Sequence, residues 1–253
     1  MGGLELASRK CGREKRCENN LNRVHFVRFS PVLMQIHHDS RNFFLQGPVG
    51  RLEAILWTPT RRGEPTLVAV LCHPHPLFGG TLHNKVVYQA AKSLDALGIP
   101  VLRFNFRGAG LSAGEHDRGL GEQGDVQAAI DFLAREFPSV PLLVGGFSFG
   151  SWVGLRVGCV DPRVQELIGL GIPVNSSDFT YLESCSKPKL IVQGTNDEHG
   201  ALAKVESVVA YAGGDTRISF VQGADHFFVG QLDQLDQAIT SWLMDRHPQL
   251  QKI

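Results

Sequence analysis

The sequence predicts a single α/β domain built around a doubly wound, mostly parallel sheet of about seven or eight strands. From Met34 onward, apolar strand-like runs alternate with amphipathic stretches, which is the pattern of strands joined by helical crossovers. The central runs are almost wholly apolar, as expected of strands that are buried on both faces. With 253 residues, 43% of them hydrophobic, the chain can bury one sizeable core.

Residues 1–33 differ from the rest, so the domain is predicted to comprise residues 34–253. The first 28 residues carry seven Lys or Arg against three Glu. They show no sustained hydrophobic period and lack the apolar segment of a secretory signal. We expect a disordered or non-native extension, with translation starting at Met34, and the alternative is a basic targeting or interaction tail.

The domain begins with a predicted hairpin and continues with alternating strands and helices. RNFFLQGPVGRLEAILW predicts an antiparallel hairpin that turns at residues 47–50, and TLVAVLCHP predicts the first fully buried strand. A helix is predicted from about Asn84 to Leu97, because its apolar residues form one stripe and Gly98 can cap its end. IPVLRFNF is the next strand, and a glycine-rich loop follows at residues 107–124.

The second half continues the same alternation. DVQAAIDFLAREF predicts a helix, VPLLVGGF predicts a buried strand that ends at Ser148, and SFGSWVGLRVGCV continues as a helix rich in small residues. ELIGLGIPV and PKLIVQGT predict two further strands. Helices near residues 201–212 and 231–246 flank the strand RISFVQG, which completes the predicted sheet.

Ser148 is the candidate nucleophile, because it lies in Gly-Phe-Ser-Phe-Gly between a predicted strand and a predicted helix. The glycines of a G-x-S-x-G turn permit close backbone approach around a serine in strained φ and ψ, so that its hydroxyl projects above the sheet edge. The helix N-terminus then lies under the serine, and the amide of Phe149 points toward a developing oxyanion. The position of the pattern matters, since the pattern alone arises easily in a chain with 28 glycines.

An acid and a histidine follow Ser148, each after a later predicted strand. GTNDEHG places Asp197 just past KLIVQ, and GADHFF places His226 just past ISFVQ. A serine hydroxyl needs a base near pH 7, and a buried carboxylate fixes the tautomer of that imidazole. Ser148, His226 and Asp197 are therefore predicted to form a catalytic triad. The alternatives in the same regions are Glu198, His199, Asp225 and Asp161.

Composition excludes several classes of partner. The formal net charge is zero and the pI is near 7.1, so no polyanion such as a nucleic acid is expected to bind. No apolar run approaches the roughly 18 residues that span a bilayer. The cysteines are odd in number, scattered and without metal-finger spacing, which favours a reducing, cytoplasmic location; they are Cys11, Cys17, Cys72, Cys159 and Cys185.

The motif around Ser148, with Asp197 and His226 in that chain order, resembles the α/β-hydrolase superfamily. CHPHPLFGGTLHNKVV and LRFNFRGAGLSAGE resemble more closely its small uncapped bacterial hydrolases, which are related to dienelactone hydrolases and serine esterases. The resemblance covers about residues 41–246 and implies an α/β-hydrolase fold. Dienelactone hydrolases proper use a cysteine nucleophile, so the serine here favours esters or thioesters over lactones.

The resemblance also implies that HPHPLFGG supplies the second oxyanion donor. Pro74 and Pro76 have no N–H, so the donor by position is the amide of His75, with Leu77 next. The His73 ring is expected to bond within the loop, and the His75 ring to line the acyl pocket. A metal shared by His73, His75 and His83 is the less favoured alternative, because no carboxylate or cysteine accompanies them.

The glycine-rich loop is not predicted to bind phosphate, because it lacks the Lys-Ser/Thr ending of a P-loop. In the resembled fold this loop borders the active site, where Arg107 is expected to anchor it; selection of an anionic substrate is the alternative. Only about sixteen residues separate Ile172 from Lys189, so no cap domain fits there. The open pocket is expected to be shaped by Leu77, Phe78, Phe149, Phe179, Tyr181 and Phe227.

Together these features predict a serine hydrolase of carboxylic esters with short acyl groups, or of thioesters, that acts through an acyl-enzyme. No cofactor or metal is expected, and the partner is a small-molecule ester or thioester bound by a monomer or homodimer. A peptidase or acyltransferase would use the same triad. A non-catalytic binding module on the same fold is the alternative from another functional class.

Overall fold

The structure is a computed structural model that describes residues 38–60 and 63–250. The strands are β1 (His38–Gly47), β2 (Gly50–Pro59), β3 (Val68–Cys72), β4 (Val101–Phe104), β5 (Leu142–Phe147), β6 (Val164–Leu170), β7 (Lys189–Gly194) and β8 (Thr216–Val221). The helices are α1 (Lys85–Asp95), α2 (Gly121–Glu136), α3 (Phe149–Val160), α4 (Leu202–Tyr211) and α5 (Leu232–Arg246). The prediction for residues 1–33 lies outside the described residues.

The strands form one mostly parallel sheet in the order β1-β2-β4-β3-β5-β6-β7-β8. Two pairs are antiparallel, β1 with β2 and β2 with β4, and β4 begins a run of parallel pairs that continues to β8. The predicted fold class and the hairpin at residues 47–50 are confirmed. Because β3 and β5 to β8 are parallel, their carboxyl ends meet at one edge of the sheet.

Helices cover both faces of the sheet. On one face, apolar side chains of α1 and α5 pack in a single core with Leu71, Val101 and Leu190. On the other face, α2 and α3 pack with Val70, Phe104 and Leu167. Both faces of the central strands are therefore buried, which explains why those strands are almost wholly apolar in sequence.

The helix α2 begins four residues earlier than predicted, at Gly121 instead of Asp125. The Glu122 carboxylate is fully buried and accepts hydrogen bonds from the amides of Asp117 and Gly119, at 2.8 Å each. An acidic side chain in the first turn stabilises a helix N-terminus. The helix therefore includes the last residues of the glycine-rich loop.

The connection from β6 to β7 holds only a short 3₁₀ helix, Thr180–Ser184, and no cap domain. The absence of a cap was predicted from the length of this segment. Within residues 38–60 and 63–250, no helix is long and apolar enough to cross a membrane.

Cys159 and Cys185 are paired as a disulfide, with Cα atoms 5.3 Å apart. This pair joins the last turn of α3 to the residue after the 3₁₀ helix. No sequence pattern predicts this bond, since the two cysteines are 26 residues apart and belong to no motif. The bond removes the argument on which a reducing compartment was expected.

Candidate active site

Ser148 occupies a strained turn between β5 and α3. Its backbone lies at φ 54° and ψ −122°, a region that costs a non-glycine residue on the order of 1–3 kcal/mol. A Cβ atom on Gly146 would lie 2.3 Å from the carbonyl oxygen of Gly150, and one on Gly150 would lie 2.4 Å from that of Cys72. Only glycine fits at either position, so the predicted turn geometry is present.

Ser148, His226 and Asp197 form one hydrogen-bonded chain. The distance from His226 Nε2 to Ser148 Oγ is 2.9 Å, and that from His226 Nδ1 to Asp197 Oδ2 is 2.8 Å. The His226 and Asp197 side chains are buried. With its proton on Nδ1, the imidazole donates to the carboxylate and presents Nε2 as an acceptor for the serine hydroxyl. This arrangement can remove the hydroxyl proton.

The competing acids lie elsewhere. Glu198 is largely exposed, and Asp225 accepts hydrogen bonds from the amides of its own turn. Asp161 pairs with Arg163, whose guanidinium holds the pKa of that carboxyl at about 2. Asp197 is therefore the acid that the structure brings to His226.

Gln193 is a site residue that the sequence reasoning missed. Its side chain is fully buried, and its Nε2 donates to Asp197 Oδ2 at 2.7 Å while its Oε1 accepts from the Ile172 amide at 2.8 Å. The amides of His199 and Gly200 donate to the other Asp197 oxygen at 2.8 and 3.2 Å. A polar residue ending the apolar run KLIVQ was the available signal.

The two predicted oxyanion donors, the amides of Phe149 and His75, belong to different segments of the chain. Phe149 is the first residue of α3, and His75 lies in the loop after β3. Among the described residues, neither amide donates a hydrogen bond. The Leu77 amide, the other predicted donor, is occupied, because it donates to His75 Nδ1 at 3.3 Å.

His73 fastens the loop that carries His75. Its ring is fully buried, with Nδ1 2.6 Å from the Pro74 oxygen and Nε2 2.9 Å from the Phe106 amide. Burial lowers the pKa of His73 to about 4, so it is neutral near pH 7. Both ring nitrogens are occupied, so His73 has a structural role and no free lone pair for a metal. In the described part of the chain, no cluster of three His, Cys, Asp or Glu could hold a metal ion.

Arg107 anchors the glycine-rich loop, as the sequence predicted. Its Nε and Nη2 donate to the two oxygens of Asp125 at 3.0 and 2.7 Å, and its backbone amide also donates at 3.0 Å. Both side chains are buried. A guanidinium bound in this bidentate way is not presented to a substrate.

Ser148 opens into a cavity of about 340 Å³. Phe78 and Phe227 line it, as predicted, together with the ring of His75. The lining also includes residues that the sequence did not single out for this role: Pro74, Gly79, Gly80, Asn84, Pro173, Ser176 and His199. Phe78 is 86% exposed, so the mouth of the cavity is open to solvent.

Four predicted pocket residues do not line the cavity. Phe149 is buried and packs against the His75 ring. Leu77 is 70% exposed and does not line the cavity. Phe179 packs in the core that contains α3 and faces a different cavity. Tyr181 packs against the same core, and its hydroxyl donates to the Trp152 oxygen at 3.0 Å. Both rings pack against the core that contains α3, and neither lines the Ser148 cavity, so the structure does not bring them to the pocket as predicted.

Aromatic rings surround the loop imidazole. The His75 ring lies 4.9 Å from Phe149 and 4.6 Å from both Phe78 and His116, centroid to centroid. Burial and the neighbouring His116 lower the pKa of His75, which favours its neutral form. Because Nδ1 accepts the Leu77 amide, the proton of the neutral ring lies on Nε2.

The fold and this arrangement of residues match a known family. A family model described as an alpha/beta hydrolase domain matches residues 70–240. The chain belongs to the alpha/beta hydrolase family. An uncharacterized protein of Rickettsia prowazekii is similar to this alpha/beta hydrolase, with 36% identity over 210 residues that cover 79% of this chain and 87% of the relative.

Solved structures of alpha/beta hydrolases resemble the chain closely. A serine hydrolase homologue from Coxiella burnetii is 38% identical with a TM-score of 0.76, and the match covers 80% of this chain and 97% of that one. A serine hydrolase without a lid from Xanthomonas campestris is 33% identical with a TM-score of 0.77, covering 82% and 95%. This alpha/beta hydrolase thus belongs with the small serine hydrolases that lack a cap.

Proposed function

We propose that the protein hydrolyses carboxylic esters with short acyl groups, or thioesters, through a covalent acyl-enzyme. The observation that carries the proposal is the unbroken chain from Ser148 Oγ through the His226 imidazole to the Asp197 carboxylate, with separations of 2.9 and 2.8 Å. A serine in a strained turn, a histidine base and a buried acid together activate a hydroxyl nucleophile.

In the first half of the reaction, Ser148 Oγ attacks the carbonyl carbon while His226 Nε2 takes the hydroxyl proton. The bond from the carbonyl carbon to the leaving oxygen or sulfur then breaks, and His226 gives the proton to that atom. In the second half, water attacks the acyl-enzyme through the same base. The Ser148 oxygen regains its proton as the carboxylic acid leaves.

The negative charge on the carbonyl oxygen requires donors that are in place before the reaction. The amides of Phe149 and His75 are proposed to supply them, because neither donates a hydrogen bond among the described residues. His73 holds the loop of His75 in place, and Phe149 begins the helix α3. A donor of this kind contributes about 2.7–4 kcal/mol to transition-state stabilisation in a well-studied serine protease.

Short acyl groups are proposed because the cavity holds about 340 Å³ and opens directly to solvent beside Phe78. The connection between β6 and β7, where a cap would be inserted, holds only a short 3₁₀ helix. An acyl chain of many carbons would therefore remain partly in water and gain little from burial.

A fluorophosphonate probe tests the nucleophile. We expect the probe to label the wild type and Ser112→Ala but not Ser148→Ala. Ser112 is the control because it lies outside the cavity. Absence of labelling in folded wild-type protein would contradict the proposal and favour a non-catalytic module.

A series of p-nitrophenyl esters of rising chain length tests the substrate class. We expect kcat/KM to be highest for the shorter acyl chains and to fall for long ones. A strong preference for long chains would show that the argument from the open, cap-less pocket is wrong.

A further inference from the structure

A second cavity adjoins the one that contains Ser148. It encloses about 480 Å³ and shares Gly79, Asn84 and Phe227 with the first cavity. The two cavities are therefore adjacent, and together they are named here the extended groove, with Ser148 in the near part and Phe227 between the two parts. Its far part is lined by His83, Lys85, Val86, Phe228, Val229 and Leu232. The proposed ester hydrolysis uses only the near part.

The extended groove leaves the reaction centre on the side of His226. A leaving oxygen or sulfur has to lie within hydrogen-bond distance of His226 Nε2, because that nitrogen supplies its proton. Phe227 follows His226 directly in the chain, and the centroids of the two rings are 5.3 Å apart. Phe227 borders both cavities, so the far part of the groove adjoins the side of the first cavity on which His226 lies, and a group bonded to the leaving atom can extend into it.

The walls and charges of the far part define what fits there. The buried side chains of Phe228 and Val86 and the exposed side chain of Val229 give the far part an apolar wall, here called the apolar channel. Thr81, His83 and Asn84 also line this part of the groove. Lys85 adds an exposed ammonium group that forms no ion pair within the described residues. Neither cavity is lined by an Asp or Glu. The nearby Asp225 carboxylate is turned toward the amides of Phe227 and Val229.

We infer that the far part of the extended groove is a leaving-group subsite for esters or thioesters whose alcohol or thiol carries a distal carboxylate or phosphate. The apolar channel takes the alkyl spacer, and Lys85 attracts the anion. This inference rests on the proposed function, because it assigns the second part of the same substrate. The protein is thus expected to select substrates whose leaving group ends in an anion.

Two pairs of matched substrates separate the leaving-group side from the acyl side. The first pair is acetoxyhexanoate, which has a terminal carboxylate on the leaving group, and its neutral counterpart acetoxyhexanamide. The second pair is the monoethyl ester of adipic acid, which has the carboxylate on the acyl group, and its amide. For each pair, the measured quantity is kcat/KM for the anion divided by kcat/KM for the amide.

In Lys85→Gln, the ratio for the acetoxy pair is expected to fall about two- to fivefold, which is the range of a solvent-exposed charge pair. Lys85→Glu should lower it further, and added salt should weaken the wild-type preference. Lys92→Gln is the matched control, since Lys92 is exposed on the same helix and lies outside both cavities. The ratio for the adipate pair should not change in any variant.

A second variant tests the channel without altering charge. Val229→Trp should fill the rim and raise KM for both acetoxyhexyl substrates relative to ethyl acetate, and Val229 is exposed enough to accept the larger ring. An unchanged ratio in Lys85→Gln, or a change confined to the adipate pair, would overturn the inference while ester hydrolysis itself stands. Failure to hydrolyse ethyl acetate, with no labelling of Ser148, would refute the proposed function and the inference together.

Discussion

Replacing Gln193 with Met tests how strongly the buried amide supports the acid of the site. Methionine has nearly the same length and volume, so the change removes hydrogen bonds and leaves little cavity. Asp197 then loses one of its four donors, which are His226 Nδ1, Gln193 Nε2 and the amides of His199 and Gly200. The Ile172 amide loses its acceptor at the same time.

The magnitude follows from these two losses. A hydrogen bond to a charged group contributes about 1.5–3 kcal/mol, and a buried amide left without an acceptor costs about 1–3 kcal/mol. We therefore expect the free energy of unfolding to fall by about 2.5–6 kcal/mol. The hydrogen bond to Asp197 is present in the free protein as well, so its loss should lower kcat/KM by at most about 10- to 160-fold.

Urea unfolding measures the free energy of unfolding. The rate of fluorophosphonate labelling, measured on folded protein, reports the loss of reactivity at Ser148. Gln127→Met is the matched control, because the Gln127 amide also donates to a carboxylate, that of Asp161, at 2.8 Å, on a helix away from the site. It should lower stability modestly and leave the labelling rate unchanged. Asp197→Asn provides the background for a double-mutant cycle.

Additivity decides whether Gln193 acts through Asp197. In the Asp197→Asn background, Gln193→Met should have little further effect on the labelling rate. An equal loss in both backgrounds, or a labelling rate within twofold of the wild type, would refute the reasoning.

Three further outcomes are expected. Because the His73 pKa of about 4 lies below the 6.5 of an unperturbed histidine, the unfolded chain takes up the proton first as pH falls. The contribution of His73 to stability is therefore complete above about pH 6.5 and declines by about 3 kcal/mol as the pH falls toward 4. Urea unfolding of the wild type and His73→Gln at several pH values measures this contribution. Equal dependence of the unfolding free energy on pH in the two proteins would count against the prediction. Arg107→Ala leaves Asp125 as a buried unpaired charge and should lower the free energy of unfolding by about 3–5 kcal/mol. The double variant Asp125→Asn with Arg107→Met has no buried charge at this pair and should restore part of the lost stability. Opening the Cys159–Cys185 bond, which closes a loop of 26 residues, should lower stability by about 3.5 kcal/mol in the chain-entropy model; thermal unfolding with and without reductant checks this, and identical midpoints would contradict it.

The sequence predicts the sheet well because its central strands are buried on both faces and read as unbroken apolar runs. The candidate triad is also accessible to sequence reasoning. Ser148, Asp197 and His226 each follow a strand of the same parallel sheet, so their proximity follows from topology once the strands are found.

The misassigned residues share a different property. Phe179 and Tyr181 belong to a segment without a hydrophobic period, where the direction of a ring depends on tertiary packing against α3. Leu77 failed for a related reason, since a turn of the loop leaves its side chain in solvent. The disulfide depends on a distance between elements that no local pattern encodes.

Gln193 was missed because its role depends on how the end of β7 packs against the loops that carry Ile172 and Asp197, which no local pattern encodes. Its polarity at the end of a buried strand was visible in the sequence.

His73 has a consequence for the rate of the reaction cycle. Its two ring nitrogens bind the loop of His75 to the segment after β4, and the prolines on either side of His75 restrict the same loop. Ordering the His75 amide costs conformational entropy. That cost therefore arises once, when the chain folds, and not again at each turnover. No cap is inserted between β6 and β7, so we expect no large motion of the backbone there when substrate enters or product leaves, and a chemical step to limit the proposed reaction.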